Sequence, residues 1–107
     1  MKKILVTEAI HGQALEHLKH EFSVTVNPSL WKKSEQLRQI IGNYDGLIIR
    51  NQTIIDQKLV SAAGRLRVIG RHGVGLDNID LRATKSAELI VTFAPEQNAV
   101  SVAELAL

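Results

Sequence analysis

Val68-Ile69-Gly70-Arg71-His72-Gly73-Val74-Gly75-Leu76-Asp77-Asn78-Ile79-Asp80 reads as a short apolar strand that runs into a glycine-rich turn and then into a capped helix. Gly73 and Gly75 lack Cβ, so the backbone there can turn tightly and present its N–H groups to a ligand. Successive N–H groups in such a turn form a concavity that attracts carboxylate or phosphate, and a following helix N-terminus strengthens the attraction. A strand–helix turn that merely needed small residues is the plainer alternative. Arg71 and His72, read as part of the same turn, point instead towards an anion site.

The alternation of strand and helix extends outward in both directions. Ile4-Leu5-Val6 is a short strand of the buried type, and Ala9 to Glu21 carries Ala14, Leu15 and Leu18 at helical spacing, which predicts an amphipathic helix. Phe22, Val24 and Val26 alternate with polar residues, as on an edge strand with one solvated face, and Asn27-Pro28-Ser29 breaks it. Ser34 is expected to N-cap a helix through Ile41, with Gly42-Asn43 as its stop. Leu47-Ile48-Ile49 is the next buried strand. Asp56 caps a short helix ending near Gly64, Leu66 to Ile69 is strand, Asp80 caps a helix to about Ala87, and Leu89-Ile90-Val91 is the fifth strand. The tail from Ser101 to Leu107 reads as helical. This spacing implies an α/β fold with a parallel sheet and helices on both faces. Five strands fit the flavodoxin-like doubly wound order 2-1-3-4-5.

At 107 residues the chain fits one domain. A hydrophobic content of 45% with 22% charged residues is ordinary for a soluble globular protein. The net charge of +2 is carried by scattered bases, and one Trp, one Tyr and two Phe supply no stacking platform, so nucleic acid is not an expected partner. The absence of cysteine excludes disulfides and thiolate metal sites and fits a reducing cytoplasm. Thr7-Glu8 interrupts the first apolar run before a signal-peptide core can form, and no apolar run approaches the roughly 20 residues that span a bilayer. No membrane partner is therefore expected.

Ligands of open parallel sheets bind outside the carboxyl ends of the strands. The residues that follow the predicted strands are Thr7 and Glu8, Arg50 and Asn51, Gly70 to Gly75, and Phe93 to Asn98. A guanidinium, an amide concavity, an imidazole and a carboxamide on one edge suit a small, anionic, oxygen-rich molecule. Arg50 closes an apolar strand, where an arginine is either a bidentate anion clamp or a salt-bridge partner, here for Glu8 or Asp45. Gly73-x-Gly75-x-x-Asn78 approximates the dinucleotide fingerprint G-x-G-x-x-G, with Glu96 about twenty residues on; the third glycine is missing, so the match is weak. His11, His17 and His20 on the first helix lack an acidic third ligand for a metal, and a solvated face is the better reading. Ser101 has no nucleophile-elbow context. A phospho-receiver would need an aspartate where Arg50 stands. Lys32 and Lys33 read as a solvated pair, within reach of a phosphate from their loop.

The glycine-rich stretch, together with Ile4-Leu5-Val6-Thr7, Tyr44-Asp45-Gly46-Leu47-Ile48-Ile49-Arg50, Val91-Thr92-Phe93-Ala94-Pro95 and Asn98-Ala99-Val100-Ser101-Val102-Ala103-Glu104, resembles the D-isomer-specific 2-hydroxyacid dehydrogenases, most of all their D-3-phosphoglycerate dehydrogenase branch. The resemblance covers essentially the whole chain and corresponds to the substrate-binding domain. It implies that Arg50 meets the substrate, that Gly73 and Val74 offer backbone N–H groups to its carboxylate within a loop that includes Gly75, and that Asn98 hydrogen-bonds it. Asn98 reads equally as an N-cap for the tail helix. His72 would tune affinity for the anion. Asn51 stands where many relatives carry serine, and Glu96 where glycine is common, so the local contacts are expected to differ.

The resemblance further implies hydride transfer between C2 of a small 2-hydroxy or 2-oxo acid and NAD. In relatives the catalytic histidine, its carboxylate partner, a further arginine and the dinucleotide fold all lie beyond the position of Leu107, so this chain is expected to bind no cofactor and to be inactive alone. The tail, residues 98–107, would begin a helix crossing into the missing nucleotide-binding domain, and its apolar end without a stop signal fits a truncated chain. The whole enzyme would be a homo-oligomer. A stand-alone, non-catalytic module that senses a small organic anion is the alternative from a different class.

Overall fold

Each apolar run becomes a strand, and the strands pair only with parallel neighbours. In the computed structural model, which describes residues 1–10, 12–73, 75 and 77–94, β1 (Lys3–Val6), β2 (Ser23–Val26), β3 (Gly46–Ile49), β4 (Val68–His72) and β5 (Ile90–Ala94) lie in the order β2-β1-β3-β4-β5. This is the doubly wound order expected of the alternating pattern. The expected tail helix, the crossing segment 98–107, Asn98 and Val74 lie outside the described residues.

Alternation along β1 divides the interior in two. Ile4 and Val6, with Ile48 of β3, pack against Ile10, Phe22 and the Leu15 and Leu18 face of α1 (Gln13–Glu21). Leu5, Leu47, Ile49 and Ile69 face the opposite side. There they meet Leu37 of α2 (Ser34–Ile40), Leu59 and Val60 of α3 (Gln57–Ala62), and Ala83 of α4 (Leu81–Ser86). β3 is buried along its whole length, as a central parallel strand covered on both faces must be. β2 is the solvated edge, with Val26 38% exposed, and Phe22 belongs to the end of α1, not to the strand.

Asp56 and Asp80 cap as their sequence positions predict: their Oδ1 atoms accept from the amides of Leu59 at 2.9 Å and Ala83 at 3.1 Å. Other boundaries depart from expectation. Gly12 takes φ +137°, which is not helical, so α1 begins at Gln13 instead of Ala9. Ser34 is the first helical residue, not the cap, because a 3-10 turn over Leu30–Lys32 leads directly into α2 and places Lys33 at the cap position. Gly42 does not stop the chain in a left-handed conformation. It sits in a second 3-10 turn, Ile41–Asn43, where a Cβ would lie 3.1 Å from the carbonyl oxygen of Ala62, so its small size lets α3 approach. β4 and β5 both run three residues past the ends read from sequence. Arg71 pairs with Ile49 and Phe93, and His72 with Ala94, so ladder bonds override the local turn signal.

At the amino edge of the sheet, buried Asp45 accepts from the Lys3 amide at 2.8 Å and from Nε of Arg65 at 3.0 Å. Burial alone would raise its carboxyl pKa; the Lys3 amide and the Arg65 guanidinium outweigh that and hold it below the ordinary 3.8. A depressed folded-state value contributes stability that is present above the unfolded pKa and disappears as pH falls through the folded one. Asp45→Asn should therefore lower stability at neutral pH by about 1–3 kcal/mol and flatten the acid limb of the stability curve below roughly pH 4. Urea titrations across that range test this, and an unaltered acid limb would count against it. Glu88, just beyond α4, has φ +59°, a left-handed position that disfavours a side chain. Glu88→Gly should raise stability by about 0.5–1 kcal/mol, read as an increased Tm.

Candidate functional site

Because all five strands are parallel, the turns after β1, β3 and β4 emerge at one edge. There they are tied to one another by buried polar groups. Glu8, only 3% exposed, accepts through Oε2 from the amides of Arg50 (2.6 Å) and Thr53 (3.0 Å) and from the Thr53 hydroxyl (2.7 Å), and through Oε1 from the Gln52 amide (3.0 Å). From the other side Asn78 Nδ2 donates to the carbonyls of Arg50 at 2.7 Å and Thr53 at 2.8 Å. Asn78 Oδ1 accepts from Nε of Arg71 at 3.3 Å.

The side chain of Arg50 itself is exposed, and its Nη1 donates to the carbonyl of Ala9 at 3.3 Å. Both carboxylates that sequence offered as its partners are engaged elsewhere: Glu8 by backbone amides, and Asp45 by Arg65 at the opposite edge. Among the described residues no carboxylate pairs with Arg50. The guanidinium opens onto a depression of about 240 Å³ that Asn51 and Gln52 share with Pro28 and Trp31 of the loop after β2. A larger hollow of about 610 Å³, between α1 and β2, is walled mainly by apolar groups such as Ile10, Leu15 and Val26. It offers no convergent set of polar groups, and the smaller depression is the chemically equipped one.

The glycine-rich turn departs from its sequence reading. Arg71 and His72 are not in the turn; both close β4 and are buried. The Arg71 guanidinium folds back beneath the turn, with Nη1 donating to the His72 carbonyl at 3.2 Å. A Cβ at Gly73 would collide with Arg71 Nη1, and one at Gly75 would lie 3.0 Å from Nη2. Gly73 also has φ +122°. The two glycines therefore make room for a protein guanidinium as well as shaping the turn.

Residues 4–106 match the family model described as D-isomer specific 2-hydroxyacid dehydrogenase, catalytic domain. The chain belongs to this family. It is 40% identical over its full length to the D-3-phosphoglycerate dehydrogenase of Methanocaldococcus jannaschii, covering 20% of that protein. It is 36% identical over its full length to the (S)-sulfolactate dehydrogenase of Chromohalobacter salexigens, covering 35% of it. Among solved structures it resembles the NAD+-bound 3-phosphoglycerate dehydrogenase of Entamoeba histolytica, with a TM-score of 0.75 and 30% identity over 97% of this chain and 36% of that one. The chain spans about a fifth of the length of the first curated relatives it matches.

Within this 2-hydroxyacid dehydrogenase domain, Arg50 and Asn51 share the depression, and Gly73 and Gly75 follow the neighbouring strand. Val74 and Asn98, like Glu96, lie outside the described residues. His72 ends β4 as a buried residue, which corrects its placement in an open loop. Lys32 extends its ammonium to 5.3 Å from the centre of the Trp31 ring. Among the described residues no helix is long and apolar enough to cross a membrane, and no three potential ligands group for a metal. Sequence reasoning passed over the roles of Glu8 and Asn78. Each carried a signal: an acidic residue directly after a buried strand, and an asparagine where the dinucleotide fingerprint wants glycine.

The two glycines should respond differently to a methyl group. Gly75→Ala should destabilise by about 1–3 kcal/mol through its contact with Arg71, and most of that loss should vanish in an Arg71→Ala background. Gly73→Ala meets the same guanidinium more closely and also has a strained φ, so it should cost more than Gly75→Ala and retain roughly 1–2 kcal/mol of its loss in the Arg71→Ala background. Chemical denaturation of the four-member cycles checks the distinction; full recovery of Gly73→Ala in the Arg71→Ala background would refute it.

Proposed function

We propose that this chain is the substrate-binding part of an NAD-dependent 2-hydroxyacid dehydrogenase, in which Arg50 holds an anionic group of a small 2-hydroxy or 2-oxo acid. The observation that carries the reading is the exposed Arg50 guanidinium, whose two nearest rivals in sequence are engaged elsewhere while its own turn is held rigid. A planar guanidinium on a fixed turn suits bidentate recognition of carboxylate or phosphate. The turn after β4 stands beside it, and His72, Gly73, Val74 and Gly75, with Asn98 from beyond β5, complete the proposed substrate set. Relatives named for 3-phosphoglycerate and sulfolactate both take acids with a second anionic group. We take 3-phosphoglycerate as the first substrate to try, and the whole enzyme as a homo-oligomer.

NAD belongs, in this reading, to a nucleotide-binding domain in cis. The described residues do not fit a dinucleotide themselves. The room left by the missing Cβ atoms of Gly73 and Gly75 is taken by the Arg71 guanidinium, Asn78 is committed to the Arg50 turn, and α4 begins only at Leu81. The fingerprint requires glycines that open the backbone to a pyrophosphate at a helix N-terminus. This chain's part in the reaction is to bind and orient the acid.

Arg50→Ala in the enzyme carrying this chain should reduce kcat/KM by about 30- to 1,000-fold, equivalent to roughly 2–4 kcal/mol of lost transition-state stabilisation. Unchanged kcat/KM would remove Arg50 from the site. Titrating the 107-residue chain alone with NAD in a calorimeter should give no heat of binding. Micromolar affinity would overturn the assignment of the cofactor to another domain.

A further inference from the structure

Three amides of one turn, those of Arg50, Gln52 and Thr53, converge on the carboxylate of Glu8. Convergent backbone N–H groups are what an anion-binding concavity is made of. Here the concavity is filled from within the protein. The Thr53 hydroxyl adds a fourth donor to the same carboxylate at 2.7 Å. Since that hydroxyl has a single hydrogen, its 2.7 Å contact with the Thr7 hydroxyl must have Thr7 as the donor. Asn78 fixes the carbonyls of the same turn from the opposite side. Three amides and two carbonyls of residues 50–53 are thus engaged within the protein, which fixes the path of the turn and leaves the Arg50 side chain as its cationic group for a ligand.

We infer that Glu8 is a positioning residue for anion recognition, an internal carboxylate that holds the Arg50, Gln52 and Thr53 amides and so directs the Arg50 guanidinium outward as the anion contact of this turn. The inference rests on the anion-site reading given above. It differs from a simple stabilising role in what it requires of the residue. A neutral glutamine would set an NH2 against the Gln52 amide, donor against donor, and release one anchor of the turn. An aspartate would keep the charge but fall a methylene short of all four donors. Charge alone is therefore not enough; charge at this reach is needed.

The test uses the full 107-residue chain, 15N-labelled, titrated with 3-phosphoglycerate while the Arg50 Nε–H and the Gly73 and Gly75 amide resonances are followed. Glu8→Gln and Glu8→Asp should each bind at least about tenfold more weakly than the wild type, because a small misplacement of a binding group is felt steeply. Asp45→Asn is the control: its carboxylate is equally buried but lies at the opposite edge, so it should lower stability and leave affinity within about twofold. Wild-type affinity in either folded Glu8 variant would overturn the inference, as would an equal loss in Asp45→Asn. If neither Glu8 variant folds, Thr53→Val removes one donor while the charge stays, and it should weaken binding by about threefold; wild-type affinity there would also overturn it. A wild type whose resonances do not move with ligand would bring down the anion-site reading itself, and this inference with it.

Discussion

Burying a carboxylate obliges the chain around it to supply donors, and for Glu8 all four come from residues 50–53. That obligation organises the carboxyl edge of the sheet. The turn after β3 wraps the end of β1, Asn78 locks it from the side of β4, and Arg71 extends the connection beneath Gly73 and Gly75. Three turns far apart in sequence thereby behave as one polar assembly. With Glu8 held by the amides of its own turn, the Arg50 guanidinium has no carboxylate partner among the described residues and donates instead to the carbonyl of Ala9.

The two buried acids mark opposite ends of the sheet and solve the same problem differently. Asp45 combines one backbone amide with a half-exposed arginine, whereas Glu8 relies on a turn and a hydroxyl. The first arrangement joins β1 to β3 and leaves nothing for chemistry. The second leaves a cation uncovered at the edge where parallel sheets present their ligands. The polar depression beside Arg50 lies on that rim.

Much of the architecture was legible because it depends on local chemistry. Apolar runs such as Leu47-Ile48-Ile49 can only be buried strands, Asp56 and Asp80 have few uses other than capping, and the alternation of elements leaves few topologies. What escaped depends on distant neighbours. Nothing near Arg71 says that Ile49 and Phe93 will extend β4 through it, so the arginine was assigned to the turn instead of to the space below. The same gap explains the glycines. Their small size was read as an invitation to a ligand, while part of the reason is a side chain of the protein itself. Arg50 and Asn51 become candidates by counting past the end of a strand, which is a local operation; Glu8 and Asn78 act across 42 and 28 positions of sequence, and their local signals do not say which backbone groups they hold at that range.

Gly42 shows how far such a dependence reaches. The main-chain oxygen of Ala62 sits 3.1 Å from where a methyl group would be, so even alanine would press the 3-10 turn that follows the second helix away from the end of the third. The third helix starts at Gln57, only four positions after the turn that wraps Glu8. Drift at this exposed glycine would thus be transmitted, through the third helix, to the turn that wraps Glu8 and carries Arg50.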